Sequence, residues 1–134
     1  MSVRVYVPVT SSSLAALVAD GRLDGPLRAH AVTPALREGW PDADEESWEY
    51  AALMAAAGSS AELRGSADRP RRMVVAADVP SCEPVDGQDP TAVVVPTDLP
   101  WRTVAAAHVD TTDQAPEDDD LAWFATQEIP DLLS

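Results

Sequence analysis

Lysine and asparagine are missing from this sequence altogether. All nine cations are therefore arginines, planar guanidinium groups suited to forked contacts with carboxylate or phosphate. Set against 23 acidic residues, they leave a net charge of −14. That charge excludes ordinary electrostatic binding to a nucleic-acid backbone, which needs a basic surface, and it argues against docking on an anionic membrane. The single cysteine, Cys82, excludes an intramolecular disulfide. It lies in an acidic loop with no adjacent base or cation, a setting that keeps a thiol protonated. The longest strongly apolar stretch, Ala51 to Ala57, falls far short of the roughly 20 residues of a membrane span. The opening MSVRVYVPVT lacks the basic and apolar regions of a signal peptide. A soluble cytoplasmic protein is the expectation. Dinucleotide-binding, phosphate-loop, C-x-x-C and G-x-S-x-G motifs are also missing, so no cofactor is expected and nucleophilic catalysis has little motif support.

What is present suits one globular domain over residues 1–134. The hydrophobic share is 46% and the charged share 24%, both ordinary for folded chains. A chain of this length buries roughly two-thirds of its unfolded surface, enough for a core without staples. Val3 to Val7 alternates as a strand ended by Pro8. Thr10 to Ser13 cap a helix with Leu14, Leu17 and Val18 inside, and Gly21 closes it. Leu27 to Val32 is a second strand. Thr33-Pro34 starts a short helical turn through Arg37. Asp42 to Glu45 open the best helix, with Trp48, Ala51, Ala52, Ala55 and Ala56 on one stripe, ending near Gly58 or running to Arg64. Arg71 to Val79 is a strand whose continuous apolar middle predicts cover on both faces. Ala92 to Val95 and Val104 to Val109 are two more. Residues 110–120 form an acidic loop with a disorder-like composition. Pro116 and the acids after it start a last helix with Leu121, Phe124 and Ala125 inside, and 131–134 is a tail. The predicted fold is α/β on the α+β boundary, in the order β-α-β-α-β-β-β-α. It has a five-stranded mixed sheet with a parallel crossover at the start.

The segments VRVYVP, HAVTPALREGWPDADEESWEYAAL, RRMVVAADVP, VAAAHVD and LAWFATQEIPDLL occur in the same order as in a family of short acidic actinobacterial proteins, which the chain resembles over nearly its whole length. Heavy alanine use and the all-arginine cations fit the GC-rich codon supply of such a source. The family is functionally uncharacterised, so the resemblance implies one continuous cytoplasmic domain and assigns no site residue.

Five constellations are candidates for function. His108 and Asp110 share a strand face, where imidazole and carboxylate converge on a metal or a proton path. A third ligand would have to come from His30, Asp78 or Glu128. The plainer alternative is a strand histidine beside a turn-capping aspartate. Around His30, Thr33 and Arg37 offer a weak anion site, against the alternative of an ordinary helix cap with a surface ion pair. Arg64, Arg69, Arg71 and Arg72 are the one basic cluster, suited to phosphate or to pairing with the acids at 42–49 or 117–120. Asp42, Asp44, Glu45, Glu46 and Glu49 form one acid block, and Glu117, Asp118, Asp119 and Asp120 another. Neither has calcium-loop spacing. Trp40 and Trp101 lie beside prolines in loops, as interface anchors or as pins onto the core. The leading expectation is a non-enzymatic interaction or regulatory protein whose acids and loop tryptophans meet a basic protein partner. The alternative is a small enzyme or a ligand- or metal-binding domain using His108 and Asp110 with His30, Arg37 or Asp78.

Overall fold

The computed structural model describes residues 2–87 and 89–133. A seven-stranded sheet runs through its centre in the order β5-β6-β3-β1-β4-β8-β9. The strands are β1 (Val3–Val9), β3 (Leu27–His30), β4 (Met73–Val79), β5 (Glu83–Pro84), β6 (Ala92–Val95), β8 (Val104–Val109) and β9 (Ala122–Ala125). A separate ribbon pairs β2 (Arg22–Leu23) with β7 (Leu99–Pro100). Three helices complete the frame: α1 (Ser11–Asp20), α2 (Pro34–Gly39) and α3 (Glu45–Leu63). The molecule is thus an α+β domain in which every pairing is antiparallel, rather than one with a five-stranded mixed sheet.

The expected parallel crossover fails for a reason visible in the register. Tyr6 pairs with His30, so Leu27 starts beside the end of β1, and the excursion through α1 and β2 leaves and returns at one end of the sheet. Gly21, at φ 75°, closes α1 by donating its N–H to the Leu17 carbonyl, as predicted. Gly25 then lets the returning chain pass tightly, because a Cβ there would sit 2.1 Å from the Thr97 carbonyl oxygen. β3 and β4 both run antiparallel to β1, and so are parallel to each other with β1 inserted between them. A parallel relation occurs only later in the chain, between β3 and β4, where α2 and α3 cross over the intervening β1.

Alternation divides the core into two layers. Val5, Val7 and Val9 face one way with Met73, Val75, Ala77 and Val79, against Leu14 and Leu17 of α1 and Ile129. Tyr6, Val74, Ala76 and Ala106 face the other way against Ala52, Ala56 and Ala57 of α3. Both faces of β4 are covered, as its apolar run predicts. Small residues let α3 lie close to the strands. Ser60, fully buried on the same helix, donates to the Val9 carbonyl at 2.6 Å and accepts the Met73 N–H at 2.9 Å. α3 starts where Asp44 accepts the Ser47 N–H at 2.8 Å and runs through Gly58 to Leu63.

The chain end differs most from expectation. Pro8 does not stop β1, which continues to Val9 while its pairing with β3 is confined to Tyr6↔His30. The second strand ends at His30 rather than Val32. The predicted last helix is strand β9 followed by a 3₁₀ helix, Thr126–Leu133. Leu121 and Trp123 lie on the α3 face, while Phe124 packs on the other. Over so short a run the apolar spacing fits either period, and the open edge of β8 decides for the strand. Asp131 to Leu133, read as tail, belong to that 3₁₀ helix, with Leu132 and Leu133 packed on the core; Ser134 lies outside the described residues.

Candidate functional site

The sheet face beneath α3 carries a set of paired polar groups. Tyr6 donates its phenol hydrogen to Glu49 Oε2 of α3 at 2.6 Å. Burial, then this bond, push the phenol well above its ordinary pKa. The Tyr6 ring meets His108 edge-on at 6.4 Å between centroids.

At the amino-terminal half of α3, aromatics and acids gather. Trp40 and Tyr50 are 47% and 49% exposed, large values for aromatics in a domain with a closed core. With Glu46, Ser47 and Ala51 they line a shallow groove of about 500 Å³. The groove is built by local pairings. Arg37 pairs with Glu45 and lies over the Trp48 ring at 4.6 Å, and Trp48 Nε1 donates to the Trp40 carbonyl at 3.0 Å. Tyr50 donates to Asp120 Oδ1 at 2.6 Å across 70 positions of sequence, which raises its phenol pKa. The second acid block therefore comes to lie beside the first.

Arg72 holds that second block in place. Its guanidinium grips both oxygens of Asp110 at 2.8 and 2.9 Å, and its side chain and that of Asp110 are 5% and 2% exposed. Two further guanidinium hydrogens go to the carbonyls of Glu117 and Asp119, both at 2.8 Å. The neighbouring cations are also engaged: Arg71 with Asp113, and Arg69 with the carbonyls of Leu132 and Leu133. The basic cluster thus works largely as internal ties, to carbonyls and to Asp110 and Asp113 rather than to the carboxylates of 42–49 or 117–120.

The residues read as a metal or proton-transfer set do not gather. Asp110 is taken up by Arg72. Asp78 pairs with Arg4 at 2.7 Å, and Glu128 accepts the Ala125 N–H at 2.9 Å. His30 and His108 share the α3 face, but three strand steps at the usual spacing, plus a two-residue offset along the strands, put them more than about 14 Å apart, with Tyr6 between. No group of three His, Cys, Asp or Glu among the described residues is placed to hold a metal ion. Thr33 caps α2, accepting the Leu36 N–H at 3.1 Å and donating to the Pro90 carbonyl, and Arg37 is engaged as above. Trp101 is half-buried against the core, its backbone N–H donating to the Gly21 carbonyl at 2.8 Å, whereas Trp123 on the edge strand β9 is 61% exposed.

At the carboxyl-terminal half of α3 a different arrangement lines a cleft of about 1020 Å³. Ser59 Oγ lies 2.9 Å from His30 Nε2, and His30 Nδ1 lies 2.7 Å from Thr91 Oγ1. Thr91 donates its own hydrogen to Asp89 Oδ1 at 2.7 Å. With that hydrogen spent, Thr91 can only accept from Nδ1–H, so Nε2 carries the lone pair and Ser59 donates to it. Burial lowers the His30 pKa, against a smaller raising effect from Asp89, so the ring is neutral at pH 7. Burial pushes the Asp89 carboxyl up, but the hydrogen bonds from Thr91 outweigh it and hold the group ionised. Of these four residues the sequence marks only His30. Ser59 reads as a weak helix position, Asp89 as part of a turn-rich acidic loop and Thr91 as nothing in particular, because β6 must pair with β3 before they meet.

A family model described as "Family of unknown function (DUF6912)" matches residues 3–133. No curated protein and no solved structure matches the chain.

Proposed function

For a chain that belongs to DUF6912, a family of unknown function, we propose a non-enzymatic interaction role, in which the amino-terminal half of α3 receives a basic segment of a protein partner. The observation that carries this reading is the convergence of the two acid blocks, through Tyr50 and Asp120, beside an exposed aromatic groove. Trp40 and Tyr50 supply apolar and cation-attracting area. Glu46 and the 117–120 acids supply a field that steers a cation inward, within a chain whose net charge is −14. Asp44 and Glu45 add charge at its rim while capping and pairing within the helix. Trp101, pinned to the core, takes a supporting part only. A cytoplasmic setting and an actinobacterial source belong to the same reading, supported by the all-arginine cation set and the alanine-rich composition.

The test is affinity capture from the native cytoplasm with two baits, the wild-type chain and a Glu46→Lys/Asp118→Lys/Asp120→Lys variant. A basic protein held stoichiometrically by the wild type and lost both on reversal and at high salt is the expected result. A partner retained in full by the reversed bait contradicts the electrostatic face.

A further inference from the structure

The cleft at the other end of α3 supports a separate, chemical role that does not rest on the non-enzymatic interaction face. We propose that Ser59 and His30, backed by Thr91 and Asp89, form a nucleophile and base that hydrolyse a small uncharged ester bound between α3 and the β1–β3–β6 side of the sheet. The chain Ser59–His30–Thr91–Asp89 is continuous at 2.9, 2.7 and 2.7 Å, and Ser59, His30 and Asp89 all line the cleft. Each hydrogen has one direction open to it, and that direction leaves the imidazole lone pair aimed at the serine hydroxyl. This is the relation a general base needs to an alcohol nucleophile. The interposed threonine hydroxyl transmits the orienting role that a carboxylate plays when it touches the imidazole directly.

The cleft also defines the substrate class. Leu23, Leu27, Leu63 and Val85 give it apolar walls, and Glu62 and Asp89 place carboxylates along it. In so acidic a chain those walls favour an uncharged acyl group over an anionic one. Arg28 lies two residues before His30 on β3, on the same strand face, and has no hydrogen-bond or ion-pair partner among the described residues. It is the cation of the cleft, free to turn toward a developing oxyanion.

The chemistry balances with water as the only co-reactant. Ser59 Oγ bonds to the ester carbonyl carbon as its proton passes to His30 Nε2, and the carbonyl pair moves onto oxygen. Collapse of that adduct breaks the bond to the alcohol oxygen, which takes the proton from His30. Water then attacks the acyl-serine, giving its proton to His30. The second collapse releases the carboxylic acid and returns the proton to Ser59.

The experiment is covalent labelling of the whole chain with an aryl fluorophosphonate, read by intact mass and peptide mapping. Turnover of p-nitrophenyl butyrate is followed alongside. One adduct on Ser59 is expected, forming at least ~100-fold more slowly in His30→Gln, because a positioned base contributes about 10²–10⁴-fold. The wild-type rate should rise with pH through a midpoint below that of free histidine. Asp89→Asn, at an exposed position, should fold normally and move that midpoint lower still. No adduct on Ser59 of the native protein, or an equal rate in His30→Gln, overturns the proposal. If His30→Gln does not fold, the midpoint shift in Asp89→Asn decides: an unmoved profile leaves Ser59–His30 as a tie between α3 and β3.

Discussion

The two halves of α3 put their polar residues to opposite ends. Toward the amino terminus, Glu46 and Tyr50 face outward, and their main polar link, Tyr50 to Asp120, runs across the surface. Toward the carboxyl terminus, Ser59 and Ser60 turn inward, and their partners are His30, Val9 and Met73 of the sheet. One half leaves its charge to solvent, where it acts at a distance. The other satisfies its polar groups internally, where they hold a fixed geometry. Burial alone does not create that difference. His30 and His108 are both half-buried on one face with pKa values lowered chiefly by burial, yet only His30 has a hydrogen-bond partner on each ring nitrogen. Placement of neighbours, rather than residue type, separates a candidate site from a core histidine.

The largest break in this comparison is Arg72→Met. It leaves Asp110 buried without its cation and frees the carbonyls of Glu117 and Asp119, so the second acid block is no longer held beside Tyr50. Loss of one partner of a buried pair costs about 3–5 kcal/mol, and denaturant unfolding should show a loss of that order. Ser60→Ala comes next. It orphans the Val9 carbonyl and the Met73 N–H at the centre of the sheet, at roughly 1–3 kcal/mol for each group left without a partner. Calorimetry should show a lowered Tm with the amino-terminal groove unchanged.

A smaller effect is pH-dependent. The folded pKa of His30 lies below that of the unfolded chain, so the unfolded state takes up the proton first as pH falls. The His30 contribution to stability is complete above the unfolded value of about 6.5 and is lost as pH falls toward the folded value. Wild type measured against His30→Gln across pH 7.5 to 5 should therefore show a gap that narrows on acidification. A gap that widens would mean the imidazole is held as a cation. The smallest change belongs to Tyr50→Phe. An exposed bond is removed, stability should stay within about 0.5 kcal/mol of wild type, and thermal unfolding checks it.

Much of the local structure was legible in the sequence, and the reason lies in caps and periods. Thr10, Gly21, Thr33-Pro34 and Asp44 mark their helices by chemistry that acts within three or four residues. The unbroken apolar run of β4 announced a strand covered on both faces. Strand direction was not legible, because it depends on where the Thr10–Pro26 excursion lands, which β2 settles by pairing with β7, over 70 residues later. β9 reads as helix because Leu121, Phe124 and Ala125 keep a helical spacing, while Leu121 and Trp123 keep strand alternation, and the partner that decides is β8. At the sites, the acid blocks were visible as composition, but their meeting at Tyr50 and Asp120 was not. His30 stood out as one of two histidines. Ser59, Asp89 and Thr91 carried no signal, since a relay drawn from a helix, a turn and a strand has no fixed spacing.

The most direct test of the interaction face compares reversals at equal charge. Glu46→Lys/Asp120→Lys alters the α3 groove, while Glu83→Lys/Asp86→Lys alters the edge of the sheet farthest from β9, at and just after β5, by the same net amount. Binding of an arginine-rich peptide to each, followed by calorimetry at low salt, separates a face from a net charge. At least a ~10-fold loss of affinity is expected for the groove reversal, a difference of about 1.4 kcal/mol, and little change for the β5 reversal. Equal losses from both, or none from either, would contradict the interaction face.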